Sequence, residues 1–253
     1  MKKPTIKEYL SLSTGNIPLK KYLTAKQLAI VKAILLGKPP SLHMVTGSRC
    51  SGRSTALAIT SILHAMHGDG NVLAVASDIR HCNVVIGHVI EQWIHAISPN
   101  SCEWEIQHHP MLAFVNKKTG ATIFVESMKA LHRMVDPYYF YVKLKKVGFI
   151  WIEDLEDFDF PMRVPTMFDT RSTPPCRIAV NYQVQSWHDN VHRAVSKLKL
   201  FATSRHTLMI CPHFASCPEM LHEIRRIEAA RRQMLKASNF YKKMGTNLER
   251  IIR

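Results

Sequence analysis

The sequence predicts an α/β domain, a mostly parallel sheet covered by helices on both faces. Three observations carry that prediction. Short apolar runs suited to buried strands recur at 42–47, 71–77, 148–153 and 177–182. Helical spacing follows the first two of them, at 54–67 and 84–97. Apolar strands alternating with helices are the pattern of parallel strands joined by crossover connections.

Each element has a local reason. LHMVTG ends in a glycine, and Gly68-Asp69-Gly70 turns the chain from the first long helix into NVLAVAS. MLAFVN and ATIFVES flank Lys117-Lys118-Thr119-Gly120, which predicts a hairpin. TLMICP at 207–212 predicts one more strand. Ser216 and Glu219 form a Ser-x-x-Glu capping box around Pro218, so a helix starts there and Gly245 stops it. The predicted organisation is a basic helical segment over 1–40, a core over 41–215 and a closing basic helix over 216–253.

Composition excludes several classes. The chain has 253 residues, 46% of them apolar, which suffices for one large packed domain. No apolar run reaches the roughly 20 residues of a membrane helix, and MKKPTIKEYLSLST lacks the apolar core of a signal peptide. A cytosolic protein without a membrane partner is expected. Six cysteines scattered through the chain are not a disulfide framework and are read as reduced. Thirty-four Lys+Arg against nineteen Asp+Glu leave +15, which favours a polyanionic partner, nucleic acid first. The excess sits at both ends, whereas Glu153, Asp154, Glu156, Asp157 and Asp159 form an acidic knot between them.

Two motifs bear chemistry. Gly47-Ser48-Arg49-Cys50-Ser51-Gly52-Arg53-Ser54 has the spacing of a phosphate-binding loop, with Arg53 where Lys is usual, and Thr55 follows. Its glycines let backbone N–H groups converge on phosphate oxygens at the positive end of the next helix, while Ser54 offers a hydroxyl to Mg²⁺. About 100 residues on, Phe149-Ile150-Trp151-Ile152-Glu153-Asp154 is a buried strand ending in two acids, the form of a Walker B element. Glu153 would hold Mg²⁺ through water and Asp154, a methylene shorter than the usual glutamate, would orient the attacking water. Gln27, ahead of the loop, either reads an adenine edge or is a polar residue of an N-terminal helix. His206, Cys211, His213, Cys217 and His222 fit no standard zinc spacing.

In order and spacing these residues resemble the ATPase part of a bacteriophage terminase large subunit, over nearly the whole chain. MVTGSRCSGRST is similar to that family's P-loop, including Arg49 inside the loop. FIWIEDLEDF resembles its Walker B segment, and IAVNYQVQSWHDNV resembles its coupling motif, with Asn181 on the motif's asparagine and Tyr182 in place of a proline. The resemblance implies a P-loop NTPase fold of the additional-strand type and a motor that uses ATP and Mg²⁺ to drive double-stranded DNA into a procapsid. It implies a portal protein, a small terminase subunit and further copies in a ring as partners. The place of action would be the host cytoplasm and, transiently, the portal vertex. Asn181 would sense the γ-phosphate and couple hydrolysis to movement. Arg49, with Arg80 second, would neutralise transition-state charge. The family carries a nuclease part after the ATPase, and the resemblance runs to about where that part is expected to begin, so a stand-alone module, a split subunit or a remnant is implied. Two other readings stay open: a nucleotide- and DNA-binding remnant with little or no turnover, and another additional-strand motor such as a helicase-like ATPase. Arg53 and Asp154 read as defects, so Arg53→Lys and Asp154→Glu are each expected to raise turnover, and the double change more so.

Overall fold

The structure is a computed structural model that describes residues 19, 22–47, 51–67, 70–97, 103–108, 111–137, 139–158, 176–183 and 189–208. All of them fall in the first of two units, Met1–Met209; the second, Ile210–Arg253, lies outside the described residues, as does the helix expected from 216 onward.

Helix α1 (Ala25–Leu36) opens with a capping box. The Thr24 hydroxyl accepts from the Gln27 N–H at 3.3 Å, and the Gln27 side-chain oxygen accepts from the Thr24 N–H at 2.9 Å. Strand β1 (Ser41–Gly47) leads through the loop into α2 (Arg53–His67) and on to β2 (Asn71–Ala76). One turn of helix, α3 (Ile79–His81), continues through a π-helical turn (Cys82–Gly87) into α4 (His88–Ile97). The helix expected over 84–97 is therefore present but wider over 84–87. Gly87 sits where that turn meets the sheet, and a Cβ there would lie 2.5 Å from Leu112 Cδ2.

Strands β3 (Trp104–Gln107), β4 (Leu112–Asn116) and β5 (Thr122–Ser127) form an antiparallel run that contains the expected hairpin. Next come α5 (Met128–Arg133), a second π-helical turn (Tyr139–Leu144), β6 (Val147–Ile152), β7 (Arg177–Tyr182), α6 (Asp189–Phe201) and β8 (Ser204–Leu208). The last strand starts earlier than the 207–212 reading places it, and residues 209–212 are outside the described set. Strand β3 and helix α6 are additions to the elements expected from sequence. Glu105 and Gln107 of β3 face solvent, and the strand is only four residues long, too short for a clear pattern.

The sheet has eight strands in the order β3-β4-β5-β2-β6-β7-β1-β8, parallel from β5 to β8. Side chains alternate between its two faces. Val72, Ala74 and Ala76 of β2 and Phe149 and Trp151 of β6 enter one apolar cluster with α1, α2 and α4. Leu73 and Val75, with Ile150 and Ile152, enter the other with α5 and α6. That two-sided burial is why the central strands read as unbroken apolar runs. No described helix is long and apolar enough to cross a membrane.

His43 of β1 is 2% exposed. Its ring nitrogens meet Ser204 Oγ at 2.8 Å and Ser41 Oγ at 3.0 Å. Burial, then the nearby His206 and Arg177, push its pKa down from 6.5 to about 4. The unfolded chain therefore binds a proton that the native state refuses, and stability falls as pH drops from 6.5 toward 4. In urea unfolding this histidine should contribute a slope approaching about 1 kcal/mol per pH unit in that window, read as the difference between wild type and a His43→Gln variant, since Glu153 titrates with the opposite sign. A His43→Gln variant should lose most of it; equal slopes would remove the assignment.

Candidate functional site

At the carboxyl ends of β1, β6 and β7 the chain assembles the residues picked out in two distant motifs. β7 lies between β1 and β6, so Asn181 sits between the loop strand and the acidic strand. Crevices at the carboxyl ends of parallel strands are the usual place for ligands in such sheets.

Glu153 is the centre of the site. It follows β6, its backbone N–H donates to Val75 O at 2.8 Å, and the residue is 1% exposed. One carboxylate oxygen accepts from Trp151 Nε1 and from Asn181 Nδ2, both at 2.7 Å. The other accepts a very short hydrogen bond from Ser54 Oγ at the start of α2. Burial pushes this carboxyl upward and the Asp154 charge adds to the push, while the three hydrogen bonds pull the other way. Ser54, Glu153 and Asn181 are each expected in the site from sequence, and the structure joins them directly. Asn181 Oδ1 is buried with no hydrogen-bond partner.

Gly47 ends β1, and Ser48, Arg49 and Cys50 lie outside the described residues. Beyond them Ser51 is buried and its hydroxyl has no hydrogen-bond partner. Gly52 has φ of 77°, a left-handed backbone that suits glycine, and a Cβ there would collide with the Gln27 amide. Gln27 Nε2 donates to Gly52 O at 3.2 Å while its oxygen serves the α1 cap. Its amide thus ties the start of α1 to the loop. Thr55 is half-buried in the first turn of α2.

Arg53 and Asp154 meet. Arg53 Nη2 stands 3.5 Å from Asp154 Oδ1, with Arg53 6% and Asp154 20% exposed. Nη1 of the same guanidinium is buried without a hydrogen-bond partner. Asp154 itself has left-handed backbone, φ 42° and ψ 67°, at the entry of a 3₁₀ turn, Leu155–Asp157. Its second oxygen faces His81, which belongs to neither motif and carries no signal in the sequence. Arg80, beside it, is exposed. Of the histidines and cysteines that could be drawn as a zinc set, His206 lies 2.8 Å from Ser204 Oγ, and the other four lie outside the described residues.

The sequence matches no family model and no curated protein. Solved structures do match. The large terminase of a thermophilic bacteriophage superposes with a TM-score of 0.56 at 11% identity, covering 80% of this chain and 50% of that one. The same protein in complex with ADP gives 0.58 at 10% identity over 81% and 50%. Its complex with ATP-gamma-S gives 0.57 at 11% over 80% and 49%. This chain thus spans about half the length of those terminases. At such identities the likeness concerns the fold: this chain has an α/β P-loop fold shared with phage large terminases.

Proposed function

We propose that this chain is the ATPase module of a phage terminase large subunit, coupling hydrolysis of Mg-ATP to movement of double-stranded DNA into a procapsid. The observation that supports it most is the buried Glu153, bonded at once to the loop serine and to the asparagine of the intervening strand.

The residues present fit the ligands this reading requires. Arg53 Nη1 and Ser51 Oγ are buried donors without hydrogen-bond partners, the groups phosphate oxygens need. Ser54 Oγ and Glu153 are hard oxygen donors suited to Mg²⁺, which when bound neutralises charge on the phosphates. The chain's own residues do the rest. The α2 N-terminus and loop amides hold the phosphates, and Arg49 and Arg53 counter their charge. Asp154 orients water, and Asn181 passes the state of Glu153 to β7. Double-stranded DNA, a portal protein, a small terminase subunit and further copies in a ring are the proposed partners; the +15 charge supports the first.

One observation favours a second reading, a nucleotide-binding protein with little turnover: Arg53 and Asp154 are engaged with each other. Thermal unfolding and phosphate release, with and without duplex DNA, separate the two. At a hundredfold excess over Kd, Mg-ATP should raise the midpoint by about 5 °C or more. DNA-stimulated phosphate release is the expected second result. A midpoint shift without release supports the second reading, and no shift counts against both.

A further inference from the structure

We infer that His81 is a positioning residue for Asp154, setting the rotation of the carboxylate that orients the attacking water. The inference rests on the hydrolytic reading above and adds a residue that neither motif contains.

The geometry is specific to Asp154. Its carboxylate carries two oxygens, and a different element addresses each. Arg53 at the start of α2 faces Oδ1 at 3.5 Å. His81 Nε2, from the short helix after β2, faces Oδ2 at 3.8 Å. The other His81 nitrogen stands 3.9 Å from Asp157 Oδ2, in the same 3₁₀ turn. The imidazole thus lies between two carboxylates of the turn that follows β6, and it links that turn to the end of β2. His81 is 17% exposed, and its Nε2 is a buried atom with no hydrogen-bond partner. A small rotation of the Asp154 side chain would close 3.8 Å to hydrogen-bond range.

His81 is itself held. Its backbone N–H donates to Asp78 Oδ1 at 2.9 Å, the side-chain cap of the turn, and Cys82 after it is buried. The Asp154 side chain is short, and on the hydrolytic reading its partner Arg53 is also the loop cation that phosphates draw on. With the Arg53 fork shared between carboxylate and phosphate, rotation about the Asp154 side-chain bond is opposed from the Oδ2 side by His81. The three groups could also be drawn as a cation site, since their ligand atoms lie within 4.8 Å of one another. A guanidinium 3.5 Å from one of the carboxylates disfavours a cation there.

The test uses steady-state ATP hydrolysis and Mg-ATP binding on the full chain. His81→Ala should lower kcat about tenfold or more, while the Kd for Mg-ATP changes less than about threefold. His81→Gln places an amide near the Nε2 position and should recover much of kcat. His81→Asn places it near Nδ1, toward Asp157, and should not. In an Asp154→Asn background, His81→Ala should cost little more, because the group it positions is already changed. Wild-type kcat in His81→Ala, equal loss in the Gln and Asn variants, or additive effects with Asp154→Asn each overturn the inference alone. A wild-type chain that binds Mg-ATP without turning it over overturns the inference and the hydrolytic reading together. One that binds no Mg-ATP overturns the nucleotide assignment as well.

Discussion

Arg53→Lys should lower ATP turnover, Asp154→Glu should lower it too, and the double variant should recover most of the loss. From sequence the two residues look like independent defects, and each reversal is expected to help. The structure makes them partners across 101 positions of chain, 3.5 Å apart. A guanidinium is a fork and can face a carboxylate with one nitrogen and a phosphate with another, whereas a Lys ammonium is a single point charge. Arg53 Nη2 faces Asp154 while Nη1 is buried without a hydrogen-bond partner. Lys at 53 would have to surrender one of the two contacts. Glu at 154 would push its carboxylate one methylene further into a space that Arg53 and His81 already occupy. Lys and Glu together restore the combined reach of the pair. Each single change should cost about 10- to 100-fold in kcat, with the double within about threefold of wild type. A rise in turnover with either single change would return both residues to the status of defects.

The other large effect has opposite signs on stability and on activity. Glu153→Gln should make the protein more stable and nearly abolish hydrolysis. The amide can keep every hydrogen bond that the carboxylate makes. Its oxygen accepts from Trp151 and Asn181, and its nitrogen donates to Ser54 Oγ, which can accept. What disappears is a charge on a residue only 1% exposed. The folded-state pKa of Glu153 lies above its ordinary value, so the native state holds its proton more tightly than the unfolded chain does. Stability from this group is present at low pH and declines as pH rises through the folded pKa. The variant should therefore match wild type near pH 4 and exceed it by at least about 1 kcal/mol at pH 8 in urea unfolding. Turnover should fall about 10²- to 10³-fold, since a neutral amide is a poor ligand for Mg²⁺. If the stability gap does not widen with pH, the buried charge is not the cause. A variant that turns over at the wild-type rate would take Glu153 out of the site.

Much of this molecule is determined by local pattern. The runs that form β2 and β6 are legible because a strand buried on both faces needs apolar residues at successive positions, and β1 and β7 are legible as shorter apolar runs broken by His43 and ended by Asn181. The loop from Gly47 to Ser54 is legible for a related reason. Its glycines and hydroxyls act through spacing along the chain, and Gly52 has the left-handed φ that the pattern demands. Glu153 is legible because it ends a buried strand.

What only the tertiary structure decided are the pairings. Sequence order places β7 after β6, and only hydrogen bonding in the sheet puts it between β6 and β1, where Asn181 can reach Glu153. Gln27 reads as a base-recognising amide or a polar residue of a helix, and only the packing of α1 against the loop shows that its Nε2 donates to the Gly52 carbonyl. His81 has no pattern around it at all; a lone histidine after a strand becomes a partner of Asp154 only when β2 and β6 lie side by side. Periodicity encodes which face of an element is buried, because burial acts on neighbours three or four residues apart in a helix and two apart in a strand. Which charged atoms meet depends on side chains from elements roughly 70 to 100 residues apart, and no spacing rule spans that distance.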